Sequence, residues 1–201
     1  PGHEGVRMVE SELGLVPVGW EAVRMEDVCA RITDGSHYSP KSIVVGKPMA
    51  SVKDMHDWGI NVETCRQIAE DEYEKLVRND CKPKLNDVLI AKDGSYLKHT
   101  FVFDQEIDLV ILSSIAILRP NGRMLPNQLA MYLRLPEVAS RMKGYVSGVA
   151  IPRIVLRDFR QLLVLLPPAE VQHAWAAYCD PMLHLCRNLV RKNENLRTTR
   201  D

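Results

Sequence analysis

Leu166-Pro167-Pro168-Ala169-Glu170-Val171-Gln172 is the stretch that divides this chain in two. Gln161 to Leu166 before it is an apolar run of strand length, closed by two prolines. After it, proline at a first helical position loses no hydrogen bond, and no glycine follows to the end of the sequence. Val171, Trp175, Tyr178, Met182, Leu185, Leu189 and Leu196 then recur at steps of 4, 3, 4, 3, 4 and 7, with Lys192 in the skipped place. That is a heptad seam on a coiled-coil-type helix. Pro181 removes one backbone hydrogen bond within it and predicts a kink. At ~1.5 Å per residue the helix would extend on the order of 50 Å. It is expected to be too long to fold back over the body, and its apolar stripe needs a partner.

Upstream of the junction the pattern is that of an α+β body rich in β-structure. The Gly- and Pro-rich segment from Gly14 to Lys53 suits brief strands and turns. Gln67 to Val77 reads as an exposed helix whose acidic first turn complements the helix dipole. Asp87 to Ala91, Thr100 to Phe103 and Ser114 to Leu118 read as strands, with Lys92-Asp93-Gly94-Ser95 as the turn joining the first two. Two short helices are expected after Pro126 and after Pro136, then a loop from Ser147 to Pro152 and a short helix from Val155 to Phe159. The resulting division is residues 1–13 as an extension or tag remnant, 14–167 as a globular domain and 168–201 as a long helix. Because the chain opens on Pro1-Gly2-His3 and stops within a helical pattern, trimming at both ends is expected.

The 201 residues are 46% apolar, enough to bury a core and to exclude global disorder. Net charge is zero, yet residues 1–118 carry 13 basic against 20 acidic groups while 119–201 carry 13 against 6. The second part is thus better suited to polyanions than the first. The five cysteines are scattered without a C-x-x-C pair, which reads as a reduced, cytoplasmic setting. No apolar run approaches the ~20 residues of a membrane span.

Enzyme signals are weak. Neither phosphate-binding glycine motif is present, the six histidines form no tight metal pair, and there is no G-x-S-x-G elbow. Asp87 with Lys92 is faintly like the carboxylate and lysine of a metal-dependent nuclease, but no second carboxylate stands at a useful offset. The polar loops are more informative. Thr33-Asp34-Gly35-Ser36-His37-Tyr38-Ser39-Pro40-Lys41 gathers donors, acceptors and an aromatic ring, and Lys92 to His99 repeats the idea. Such loops suit the reading of base edges and phosphates, although Asp-Gly turns also occur in any β-rich protein. Arg141, Lys143, Arg157 and Arg160 flank the loop from Ser147 to Arg153 and form either a basic cluster or a solvated helix face.

Taken in order, these pieces resemble one repeat of the specificity subunit of type I restriction-modification enzymes. The resemblance runs from Leu15-Val16-Pro17-Val18-Gly19-Trp20-Glu21 through Ile32-Thr33-Asp34-Gly35, Asp87-Val88-Leu89-Ile90, Ser113 to Pro120 and Ala150-Ile151-Pro152-Arg153-Ile154. Its most specific part is the opening heptapeptide, which is similar to the family's L-P-P-L-x-E-Q box. Ala169 and Val171 stand where a bulkier apolar residue and a carboxylate are common, and Pro181 where an unbroken helix is expected.

The resemblance implies a non-catalytic DNA target-recognition domain at 14–167, followed by a dimerisation and spacer helix. Thr33, Asp34, Ser36, His37, Tyr38, Lys41, Lys53, Lys92, Ser95, Tyr96, Lys98, Ser147 and Arg153 would then face double-stranded DNA. Methyltransferase and restriction subunits would be the partners and would carry S-adenosylmethionine, ATP and Mg²⁺, with none in this chain. The seam would pair with a second recognition half or with another copy. The competing expectations are a small metal-dependent nuclease and a coiled-coil adaptor that binds protein.

Overall fold

The computed structural model describes residues 5–93, 99–145 and 154–200. The strands are β1 (Met8–Ser11), β2 (Gly14–Pro17), β3 (Glu21–Arg24), β4 (Cys29–Asp34), β5 (Lys47–Ala50), β6 (Met55–His56), β7 (Gly59–Ile60), β8 (Arg66–Ile68), β9 (Val88–Ala91), β10 (Thr100–Val102), β11 (Val110–Ile111), β12 (Ile115–Pro120) and β13 (Leu163–Leu166). The helices are α1 (Met25–Val28), α2 (Glu70–Arg78), α3 (Pro126–Leu133), α4 (Pro136–Lys143), α5 (Leu156–Gln161) and α6 (Ala169–Arg200).

A four-stranded antiparallel sheet in the order β10-β9-β12-β4 forms the centre. Its inner strands β9 and β12 read as near-continuous apolar runs because both of their faces are covered. Successive side chains alternate between them: Val88, Ile90, Ala116 and Leu118 pack with Met25, Leu129, Leu133 and Phe159 of the helices. Leu89, Ala91, Ile115 and Ile117 pack with Ala50, Met55, Ile60 and Ile111 on the other side. Each large aliphatic so buried contributes roughly 1.5–3 kcal/mol against an exposed position. A smaller sheet, β11-β5-β8, carries α2 through Met49, Ile68, Tyr73 and Leu76.

Two boundaries differ from the expectation. Gln67 and Ile68 are strand, not helix, because β8 pairs with β5 from Ile68 opposite Lys47; α2 starts after that ladder, with Glu70, Asp71 and Glu72 in its first turn. Met8–Ser11, expected in an extension, pairs with Gly14–Pro17 from Met8 opposite Pro17, so part of residues 1–13 belongs to the first hairpin. Gly94 and Ser95 of the turn expected at Lys92 to Ser95, and the whole loop at Ser147 to Pro152, lie outside the described residues.

At the junction, β13 pairs with β3 and α6 begins directly after Pro167-Pro168. Gln172, 5% exposed, explains the sharp corner. Its Nε2 donates to the carbonyls of Arg123 (2.8 Å) and Pro167 (3.0 Å), and its Oε1 accepts from the Leu125 N–H (3.1 Å). One amide thereby satisfies three backbone groups and pins the helix start to the loop before α3. Helix α6 continues unbroken through Pro181. Contrary to expectation it does not stand free: one face lies along the body through Leu183, Arg187, Arg191 and Glu194, since polar partners await it there.

Candidate nucleic-acid interface

The register across the central sheet decides where the expected loops go. Asp34 is opposite Ala116, and Ala116 is opposite Ile90, so the end of β4, the end of β9 and the start of β12 share one edge. Backbone bonds tie the following loops together there. Ser113 N–H donates to the Ser36 carbonyl (2.9 Å), Lys92 N–H to that of Ser114 (3.0 Å), and Ile154 N–H to that of Lys92 (3.2 Å). The Ser114 hydroxyl accepts from the Val52 N–H at 3.3 Å. Five regions far apart in sequence, around Ser36, Val52, Lys92, Ser114 and Ile154, thus converge on one end of the molecule.

Gly35 permits the closest of these approaches, for a Cβ there would fall 2.1 Å from the Ile111 carbonyl oxygen. The next residue, Ser36, folds the loop by donating its hydroxyl to the Tyr38 carbonyl at 2.6 Å and accepting from the Tyr38 N–H at 3.1 Å. His37, Tyr38 and Lys41 are thereby left exposed, with Thr33 half-buried behind them. The Lys75 ammonium lies 5.2 Å over the Tyr38 ring. Lys53 is presented on a single helical turn, Val52–Asp54, whose Asp54 carboxylate takes the Ser51 N–H (2.8 Å), the Ser51 hydroxyl (2.9 Å) and the Thr64 hydroxyl (2.9 Å). Ser95, Tyr96, Lys98, Ser147 and Arg153 lie outside the described residues, next to Asp93, His99, Tyr145 and Ile154.

Lys92 departs from the expectation. Its side chain is 4% exposed and its ammonium sits 3.2 Å from the Asp34 carboxylate, itself 10% exposed. A buried charge must be paired, so this lysine holds the two loops together and does not reach outward to a phosphate. Asp34 also faces His37 at 3.3 Å. Of the basic cluster around α4 and α5, Arg141 donates to the Leu163 carbonyl and the Tyr132 hydroxyl, and Arg160 to the Ile32 carbonyl, whereas Lys143 and Arg157 are exposed.

At the same edge the structure assembles a group with no local sequence signal. The Arg134 guanidinium lies 5.1 Å from the centre of the Trp58 ring, and His99 Nδ1 is 2.9 Å from Asp57. These four residues come from three segments.

On the outer face of α6, Tyr178, Met182, Leu185, Leu189 and Leu196 are at least half exposed, while Val171 and Trp175 near the junction are half-buried. The expected seam is therefore uncovered on the side away from the body.

Known proteins with this arrangement are informative. Over 161 residues the chain is 25% identical to the type I restriction enzyme MjaVIII specificity subunit of Methanocaldococcus jannaschii, spanning 78% of this chain and 34% of that protein. The chain is thus similar to type I specificity subunits. Solved structures share the fold of this chain. The HsdS subunit from Thermoanaerobacter tengcongensis aligns over 95% of the chain and 43% of its own length, with a TM-score of 0.58 and 21% identity. A chain from a structure on complex assembly and conformational transition of the type I R-M system aligns over 96% and 45%, with a TM-score of 0.58 and 21% identity. The type I S subunit from M. genitalium aligns over 90% and 44%, at 0.56 and 15%. The chain thus spans about a third of the curated relative and under half of each structural neighbour. No protein-family model matches it.

The nuclease pair expected from the sequence separates. Asp87 and Lys92 flank opposite ends of β9, and each is already engaged. Fully buried Asp87 holds Arg119 in a two-pronged bond, 2.8 Å from Nε and 2.8 Å from Nη2, and accepts the Lys84 N–H at 2.8 Å. Among the described residues no group of three or more His, Cys, Asp or Glu could hold a metal. Burial, reinforced by the Asp87 carboxylate, pushes the Cys29 thiol up to about 12. Burial with Asp54 nearby does the same to Cys65, also about 12, so neither is a nucleophile near neutrality. No helix among the described residues is long and apolar enough to cross a membrane.

Proposed function

We propose that this chain is the sequence-reading half of a type I specificity subunit, which selects a DNA site without modifying it. The observation that carries the reading is the convergence of the Asp34–Lys41, Lys53 and Lys92 regions on one end of a rigid sheet, with an apolar seam uncovered on the helix. Fixed loops on a buried scaffold suit base and phosphate contacts, and an exposed heptad seam suits a second helix. Residues 14–167, with the β1 strand, act as the recognition domain, and residues 168–201 as the spacer helix.

In this account the duplex lies against His37, Tyr38, Lys41 and Lys53, together with Ser95, Tyr96, Lys98, Ser147 and Arg153. Lys92 and Asp34 brace the loops from behind. Methyltransferase and restriction subunits supply the chemistry and hold S-adenosylmethionine, ATP and Mg²⁺, and this chain takes no cofactor. The complex works in the cytoplasm. The test is duplex binding by the complex with the methyltransferase subunit at two salt concentrations. Lys53→Ala should weaken binding to every sequence and reduce the salt slope by about one. Unchanged affinity and slope in Lys41→Ala, Lys53→Ala and Lys98→Ala alike would contradict this face.

A further inference from the structure

Helix α6 has two faces with different chemistry. Its apolar seam centres on Tyr178, Leu185 and Leu189, whereas Gln172, Asp180, Leu183, Arg187, Arg191 and Glu194 face the body. At ~100° per residue these faces lie about 170° apart around the helix. A clamp at mid-helix occupies the inner face. The Asp104 carboxylate accepts from Arg191 Nη2 at 2.8 Å and lies 3.6 Å from Arg187 Nε, and the Arg187 side chain is 11% exposed. The amide of Asn127 is bound from both sides: its Nδ2 donates to Asp180 at 2.8 Å and its Oδ1 accepts from Arg187.

The two body residues are themselves held firmly. Asp104 follows Phe103, whose N–H donates to the Asp87 carbonyl at 2.8 Å and whose carbonyl accepts from Asn86 at 2.9 Å, at the end of the central sheet opposite the recognition loops. Asn127 lies in the first turn of α3. The clamp therefore transmits the frame of the sheet to the helix. Gln172 fixes the helix start, and a second attachment about two to three turns beyond Pro181 fixes its direction and its rotation about its own axis.

We infer that Asp104, with Asn127, is a positioning residue for spacing. By locking the rotation of α6, the clamp fixes the direction of the seam relative to the recognition loops, and so fixes how far and at what angle a paired second half is carried along DNA. This rests on the proposed function. A helix attached at Gln172 alone would swing about the junction, and a range of separations between half-sites would become accessible.

The test selects duplexes from a randomised library with the chain and its pairing half in complex with the methyltransferase subunit. Wild type should enrich two short base runs at one fixed separation. Asp104→Ala should enrich the same base runs spread over two or more neighbouring separations, a change that simple loss of stability does not produce. Arg191→Ala, which removes the clamp from the half-exposed helix side, should broaden the distribution in the same direction, and it is read in place of Asp104→Ala should that variant fold poorly. A two-part motif at one identical separation in all the proteins would overturn the clamp and leave the proposed function standing. A wild-type selection without any two-part motif would overturn both.

Discussion

Asp34 sits between two basic side chains, with the Lys92 ammonium at 3.2 Å inside the fold and the His37 ring at 3.3 Å outside it. Removing the inner partner strands a nearly buried carboxylate, so Lys92→Ala should destabilise the domain by about 3 kcal/mol in urea unfolding. A loss under about 0.5 kcal/mol, accompanied by a reduced salt slope of DNA binding, would return Lys92 to the phosphate-contacting set. Asp108 makes the opposite case on the surface. Hydrogen bonds and charge from Lys82 and Lys47, with the Tyr73 hydroxyl, pull its carboxyl from 3.8 down to about 2. A carboxyl lowered on folding stabilises the native state above its unfolded value, and that contribution is lost as pH falls through about 2. Asp108→Asn should flatten the decline in stability between roughly pH 4 and pH 2, most visibly at low salt. An unaltered acid limb would remove the cluster from the account. Both clusters join residues remote in sequence, Lys47 with Asp108 and Asp34 with Lys92, which is why residue order showed the loops and not the pairing inside them.

At the scale of elements, legibility follows how local the determining force is. Strands β9 and β12 were readable because burial on both faces makes them continuous apolar runs, and α3 and α4 because Pro126 and Pro136 mark their first turns. Arg66–Ile68 was not, since its helical pattern yields to pairing with β5, a contact that sequence neighbours do not encode. In α6 the apolar seam was visible by period, but the inner face was not. Asp180, Arg187 and Arg191 look like solvated charges until Asn127 and Asp104 stand opposite them. Because the seam and the inner face are on opposite sides, the seam can be changed without disturbing the body. Leu185→Asp with Leu189→Asp should convert a pairing chain to a monomer by light scattering, with its unfolding midpoint moved by less than a few degrees. A dimer that survives the double change would assign the seam to some other contact.

Over the whole molecule, the loop end and the helix are linked through one sheet. The loops proposed to read DNA leave one edge of β4, β9 and β12, and Asp104 and Asn127 meet α6 at the other end of the body, so the proposed base contacts and the proposed spacing share a common frame. The asymmetry of charge along the sequence describes this poorly. Arg119, Arg141, Arg160 and Arg187 are all consumed by internal partners, which leaves fewer free cations than their number suggests. A site-selecting chain of this kind should show no nicking of duplex DNA with Mg²⁺ and no methyl incorporation with S-adenosylmethionine when purified alone; either activity would reassign it as an enzyme. In the proposed function the loop end reads one half of a two-part DNA site. A base-protection footprint of the assembled complex, on a duplex it selects, measures this directly. Two short protected runs are expected, separated by an unprotected spacer on the order of one helical turn, about 34 Å, with protection in one run lost on changing Tyr38 and Lys53 to Ala. A single continuous protected run, or two runs untouched by those changes, would contradict it.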